Sequence, residues 1–148
     1  MKKLMVAAAA VAMTMLAQAD VTWSWWLDKQ SEHTDLSFGL ASKCASVETF
    51  ELSLVYNGSP VQNGVQFAFL GINDSEKAQV LQLAPWFNRG DDSCVQLGMV
   101  NIAKQNVFNL GFVNVANESK VQIGLLNFNK NGFLPVFPFV NIDKSLFD

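Results

Sequence analysis

Val95-Gln-Leu-Gly-Met-Val-Asn101, Phe108-Asn-Leu-Gly-Phe-Val-Asn114 and Val121-Gln-Ile-Gly-Leu-Leu-Asn127 align without gaps, and their first residues stand 13 positions apart. In each segment the first, third and fifth positions are large and apolar, while the second is polar and the fourth is glycine. Apolar residues at a period of two indicate a β-strand, and a fixed spacing indicates a repeat architecture. Looser copies begin upstream at Leu36 (LSFGLAS), Phe50 (FELSLVY), Val65 (VQFAFLG) and Leu81 (LQLAPWF), so seven units follow at spacings of 14, 15, 16, 14, 13 and 13 residues. Clusters such as Asn57-Gly58-Ser59-Pro60, Asn73-Asp74-Ser75-Glu76-Lys77 and Asn88-Arg89-Gly90-Asp91-Asp92 separate them, and these are turn compositions.

The bulky positions recur on one side of every copy, as in Phe50, Leu52 and Leu54 or Phe108, Leu110 and Phe112. They predict a continuous apolar wall that forms the shared interior. The alternate side opens polar and then turns small, as in Gln66 and Ala68, Gln96 and Gly98, or Gln122 and Gly124. Glycine weakens a strand interior, so Gly98, Gly111 and Gly124 in one register point either to something packed tightly against that column or to an exposed face that tolerates them.

Two all-β arrangements suit a strand-and-turn unit of this length. One is a β-solenoid, in which each unit is a coil laid parallel on the last; the other is an antiparallel meander, closed or not into a small barrel. Every unit carries the same pattern, whereas a meander repeats as a hairpin, so the solenoid is preferred. Asparagine closes most units (Asn57, Asn73, Asn88, Asn101, Asn114, Asn127), which fits a hydrogen-bonded ladder along stacked coils and equally fits turn chemistry. Against the solenoid stands the small coil, whose interior three bulky side chains would crowd.

Residues 1–19 read as a secretory signal peptide: Lys2 and Lys3, an apolar run from Leu4 to Leu16, and the small-residue box Ala17-Gln18-Ala19. The run is short of the ~20 residues of a spanning helix. Asp20 is then the first mature residue, and 20–148 is one β-repeat domain with an N-terminal cap over 20–35, repeats over 36–130 and a C-terminal cap over 131–148. In the first cap Val21 to Leu27 alternates and carries Trp23, Trp25 and Trp26, which are either a hydrophobic cap or a ligand-stacking row for sugar rings. In the second, Pro135 and Pro138 demand an edge strand, with Phe133, Phe137 and Phe139 covering the last unit.

Removal of the leader leaves 8 basic against 13 acidic residues, without a basic cluster, which argues against nucleic acid and anionic membrane surfaces as partners. Insertion as a small outer-membrane β-barrel is a less favoured alternative, since the units offer seven or eight strand residues where about 9–11 are needed to cross. Cys44 and Cys94 lie about three coils apart, roughly 14 Å at 4.8 Å per strand, so parallel stacking predicts two unpaired thiols. His33, with Glu32 and Asp35, lacks further ligands for a metal site. Asp74, Glu76, Asp91 and Asp92 read as turn acids rather than calcium ligands. No nucleophile elbow, phosphate loop or dinucleotide fingerprint occurs, so neither catalysis nor a cofactor is expected.

The segment Val95 to Asn127, followed by Asn129-Lys-Asn-Gly-Phe-Leu-Pro-Val-Phe-Pro-Phe139, resembles the bacterial surface-repeat-containing proteins, whose units read roughly Val-Gln-Ile-Gly-Leu-x-Asn and lead into a Gly-Phe-Leu-Pro segment. The match is close over about the last 55 residues and looser back to Leu36; Pro85 and Trp86 depart from it, and regular stacking is least expected there. The resemblance implies an exported bacterial repeat protein with no catalytic residues to carry over. The expectation is thus a structural or interaction module of the periplasm, outer membrane or cell surface that contacts another macromolecule, with carbohydrate binding through the tryptophans as the rival.

Overall fold

A computed structural model describes residues 19–24 and 33–147. Residues 1–18 of the leader, Trp25, Trp26 and Glu32 lie outside the described residues. Ten strands form one sheet: β1 (Val21–Ser24), β2 (Thr34–Ser42), β3 (Ser46–Asn57), β4 (Val61–Gln62), β5 (Val65–Ala68), β6 (Ile72–Leu83), β7 (Phe87–Leu97), β8 (Val100–Leu110), β9 (Val113–Asn129) and β10 (Val136–Ile142). All pairings from β1 to β9 are parallel, and only β10 runs antiparallel, against β9. The chain is a β-solenoid of about seven turns, so the meander and the closed barrel are not what forms.

The register is the one that the repeat spacing dictates. Leu36 pairs with Phe50, Phe50 with Val65, Val65 with Leu81, Leu81 with Val95, Val95 with Phe108, and Phe108 with Val121. The 13-residue coils pair without a shift, whereas the longer coils absorb an extra residue locally, as between Ala78 and Leu81, where the register slips by one against Ser93 and Val95. Pro85 and Trp86 do not interrupt the stack, because their carbonyls accept from the amides of Met99 and Val100, each at 3.0 Å.

The interior is the reverse of the one expected. The bulky positions do share one wall, but it faces outward, and the inward wall is built from Asn, Gln, Ser, Ala and Gly. A 13-residue coil encloses room for one layer of small and medium side chains, and three large residues per coil exceed it. Burying amides without partners would cost a few kcal/mol each, and stacking removes that cost. The Nδ2 of Asn57, Asn73, Asn88, Asn101 and Asn114 each donates to the Oδ1 of the next asparagine at 2.7–2.9 Å. A second ladder runs the other way: Gln96 donates to Gln82 at 2.7 Å, Gln82 to Gln66 and Gln66 to Glu51 at 2.8 Å. The asparagines therefore serve the ladder and not only the turns.

The two ends continue the stack in different ways. Within the expected N-terminal cap, Val21–Ser24 is a further row in register, with Val21 on Leu36 and Trp23 on Phe38. Its alternation places Ser24 inward, where Oγ donates to the Ala41 carbonyl at 2.7 Å. At the other end β10 covers the edge of the last coil with its backbone and bulges between Phe137 and Phe139, where Pro138 interrupts the ladder and Phe139 takes a φ of 67°. The phenylalanines do not cover the last unit. Phe133 and Phe139 stay 73% and 69% exposed, because the edge of the last coil is satisfied by the main chain of β10, whose residues Val136 to Val140 are all exposed.

Candidate functional site: an uncharged outer face

Reversal of the interior leaves three apolar columns on the surface. The first runs through Leu36, Phe50, Val65 and onward to Val121; the third through Trp23, Phe38, Leu52, Phe67, Leu83, Leu97, Leu110 and Ile123. The fifth comprises Leu40, Leu54, Phe69, Pro85, Met99, Phe112 and Leu125. No Asp, Glu, Lys or Arg stands in any of them. Single exposed apolar residues are ordinary on a soluble protein, but a contiguous patch of this extent is not.

The relief of this face follows from the column between the third and fifth. It holds Ser24, Gly39, Ser53, Ala68, Ala84, Gly98, Gly111 and Gly124; its side chains turn inward, and its main chain floors a trough at each end, along Ser24, Gly39 and Ser53 and along Gly98, Gly111 and Gly124. Near the N-terminal end the trough encloses ≈ 900 Å³ between Trp23, Phe38 and Leu52 on one side and Leu40, Leu54 and Phe69 on the other. Near the C-terminal end it encloses ≈ 610 Å³ between Leu110 and Ile123 and the row Met99, Phe112 and Leu125. Tight packing against the glycines is thereby shown. A Cβ on Gly111 would be driven into the Gly98 carbonyl oxygen and lie 2.6 Å from Asn101 Nδ2, so the preceding coil and the asparagine ladder are the close neighbours.

Of the predicted stacking residues, Trp23 lies on this face, 70% exposed, with its ring 5.2 Å from Phe38 and tilted by 31°. Trp25 and Trp26 fall outside the described residues. His33 is exposed, with Nδ1 2.7 Å from Ser46 Oγ and 3.5 Å from Glu48 Oε1. The turn acids sit on another side of the coil: Lys104 pairs with Asp91 at 2.6 Å and Arg89 with Asp74 at 3.9 Å, each across adjacent coils. Among the described residues no three His, Cys, Asp or Glu side chains converge as metal ligands. Cys44 is buried and Cys94 partly buried, and both are free thiols.

One buried group escaped the sequence reading. Glu51 occupies the second position of its unit, where later copies carry Gln or Asn, and that departure is the signal that marks it. Its carboxylate accepts from Ser59 Oγ at 2.7 Å and Gln66 Nε2 at 2.8 Å. Burial pushes the carboxyl above its ordinary range, against the pull of these donors. Burial likewise raises the nearby Cys44 thiol, which Ser37 partly offsets and the Glu51 charge reinforces. At the C-terminal end Asp143 is held below the usual range, chiefly by the Ser145 amide at 2.8 Å and also by Lys120 at 3.4 Å.

Comparisons with family models, with curated proteins and with solved structures find no match.

Proposed function

We propose that the chain is an exported structural or interaction module whose uncharged outer face is its contact surface with another macromolecule. The observation that carries this reading is the face itself: three apolar columns continued coil after coil without a charge, on a protein whose acids and bases lie elsewhere. Water contact with such an array is unfavourable by roughly 25 cal/mol for each Å² left uncovered, so a partner that covers it gains free energy from burial alone. The signal-peptide pattern of residues 1–19 supports export, and the resemblance to surface-repeat proteins supports a contact in the periplasm, the outer membrane or at the cell surface.

Photo-crosslinking in the native host tests this. A photoreactive residue at Leu54 or Leu125 is expected to capture a macromolecule, whereas one at Lys104, on the charged side, captures none. Equal capture from both sides, or none from either, rejects the face as the contact surface. Carbohydrate binding remains as a second reading because Trp23 is exposed beside Phe38; equal glycan-array signals from the wild type and a Trp23→Ala/Trp25→Ala variant remove it.

A further inference from the structure

Glu51 closes the N-terminal end of the glutamine ladder. In register, Ser37 stands against it on one side and Gln66 on the other. Gln66 Nε2 and Ser59 Oγ donate to the carboxylate, with Ser42 beside them. Ser37 Oγ instead shares a hydrogen bond with Ser42 Oγ at 2.6 Å and accepts from Cys44 Sγ at 3.6 Å. All of these neighbours are buried and neutral, and no ion pair among the described residues includes Glu51. A buried carboxylate without a counter-charge is costly, and uptake of a proton removes the cost. The amide N–H groups of Gln96, Gln82 and Gln66 all point toward Glu51 and favour the anion. Burial outweighs that pull, since the carboxyl is held above its ordinary range.

The seam between β2 and β3, against which Glu51 is packed, is the one best placed to yield. In a stack whose rows touch only their neighbours, end rows can open while the rest stay folded. β1 supplies four residues, and β2 slips register on β3 twice, between Thr34 and Leu36 and between Gly39 and Ala41, whereas the coils from β7 to β9 pair without a slip. Neither side-chain ladder crosses this seam. Asn57 and Glu51 each make their ladder bond to the following coil, and Asn57 Oδ1 is buried without a partner.

We propose that Glu51 is a proton-operated clasp: protonated, it holds the seam between β2 and β3 shut; ionised, it lets β1 and β2 lift from β3 while the later coils stay folded. Trp23, Phe38 and Leu40 lie on one side of that seam and Leu52, Leu54 and Phe69 on the other, so the N-terminal trough is complete only when the clasp is shut. The clasp acts whatever the outer face binds. Cys44, between β2 and β3, and Tyr56 of β3 are the titratable groups that feel the Glu51 charge, while β2, Ser59 and β5 present only hydroxyls and an amide. Burial raises both groups above their ordinary ranges, so neither ionises between about pH 4 and pH 8.

The two free thiols supply the test. Cys44 is 2% exposed and is reached through the seam, whereas Cys94 lies in β7 and reports the chemistry of the reagent. The full chain is labelled with 4,4′-dithiodipyridine from about pH 4 to pH 8, and each cysteine is read separately by peptide mass spectrometry, in the wild type and in Glu51→Gln. The Cys44 rate relative to Cys94 is expected to climb in the wild type by up to about tenfold per pH unit, the slope of one proton, and to stay level in Glu51→Gln. Electrostatics alone predicts the reverse, because removing the Glu51 charge lowers the Cys44 thiol and speeds its reaction. If Glu51→Gln loses its strand signal in circular dichroism, hydrogen exchange of the wild type decides: the amides of Phe38 and Leu40 must gain exchange with that slope relative to those of β8. A ratio that stays level in the wild type overturns the proposal, as does the same climb in both proteins. So does simultaneous opening of β2 and β8, which is global unfolding.

Discussion

The glutamine ladder breaks at one coil, and repairing it should stabilise the protein. Asn109 stands in the row of Gln82, Gln96 and Gln122, one C–C bond of about 1.5 Å too short to reach either neighbour. Gln96 Oε1, Asn109 Nδ2 and Asn106 Oδ1 are consequently buried without a partner, while Asn106 turns its Nδ2 onto Asn109 Oδ1. Asn106 itself occupies a row where Ser93 and Ser119 lie on either side. The pair Asn106/Asn109 thus fills nearly the volume of the Ser/Gln pairs in the adjacent coils, with its carboxamides in the wrong places. The double substitution Asn106→Ser/Asn109→Gln moves them back. It creates two ladder links, forfeits one existing bond and removes three orphaned atoms.

At about 1 kcal/mol for the net bond and 1–3 kcal/mol for each orphan relieved, discounted for incomplete relaxation, the gain should be about 2–4 kcal/mol. At roughly 3–5 °C per kcal/mol for a domain of this size, Tm should rise by about 6–20 °C. Asn109→Gln alone adds a methylene beside an unchanged Asn106 and should yield little, since overpacking costs about 1–3 kcal/mol. Asn106→Ser alone loses a bond and leaves a void, so it should destabilise. Urea and thermal unfolding of the four proteins, followed by circular dichroism, form a double-mutant cycle whose coupling should exceed about 2 kcal/mol. A double variant no more stable than the wild type, or singles that simply add, would refute the ladder as the source of core stability.

Two further outcomes follow from the interior. Folding raises the Glu51 carboxyl, so in a rising pH series the unfolded chain loses its proton first. Stability should be unaffected by this group below the ordinary carboxyl range, fall as pH climbs from there to the folded value, and then level off. Glu51→Gln, which keeps the ladder acceptor and faces the same Cys44 and Tyr56, should remove that decline, so that it matches the wild type in urea midpoint near pH 4 and exceeds it at pH 8; parallel curves across that range would contradict the assignment. Gly111→Ala forces a methyl into the Gly98 carbonyl and the Asn101 carboxamide and should cost about 1–3 kcal/mol, seen as a lower urea midpoint; an unchanged midpoint would mean that the coils separate freely at the bend.

An apolar coat over a polar core inverts the usual division of labour in a soluble domain. Here the interior is held by directional links whose acceptor and donor both come from the repeat, and each link requires its neighbour coil at the right height. The apolar side chains are then free of any duty in the coil's own core, and they stand in columns that a partner can read. That separation is why a substitution at Phe112 is expected to alter association and leave the coil intact, while one at Gly111, its immediate neighbour, is expected to do the opposite.

The parallel stack was legible in the sequence because translation of one coil onto the next makes spacing equal to register. Starts at Leu36, Phe50, Val65, Leu81, Val95, Phe108 and Val121 are the paired residues of successive rows. The asparagine ladder and the tight glycine column were each one of two readings that the sequence left open, and stacking decided between them. Which face lies inside was not. A period of two states that a strand has two faces and that one is apolar, and it is unchanged when the strand is turned over; the usual assignment of apolar residues to the interior then points the wrong way. Only closure of the coil decides, because 13 residues enclose a space that Asn, Gln, Ser and Gly fill with their hydrogen bonds made, and that Phe, Leu and Met do not fit. The candidate site is the consequence of that closure, set on the surface by the size of the interior.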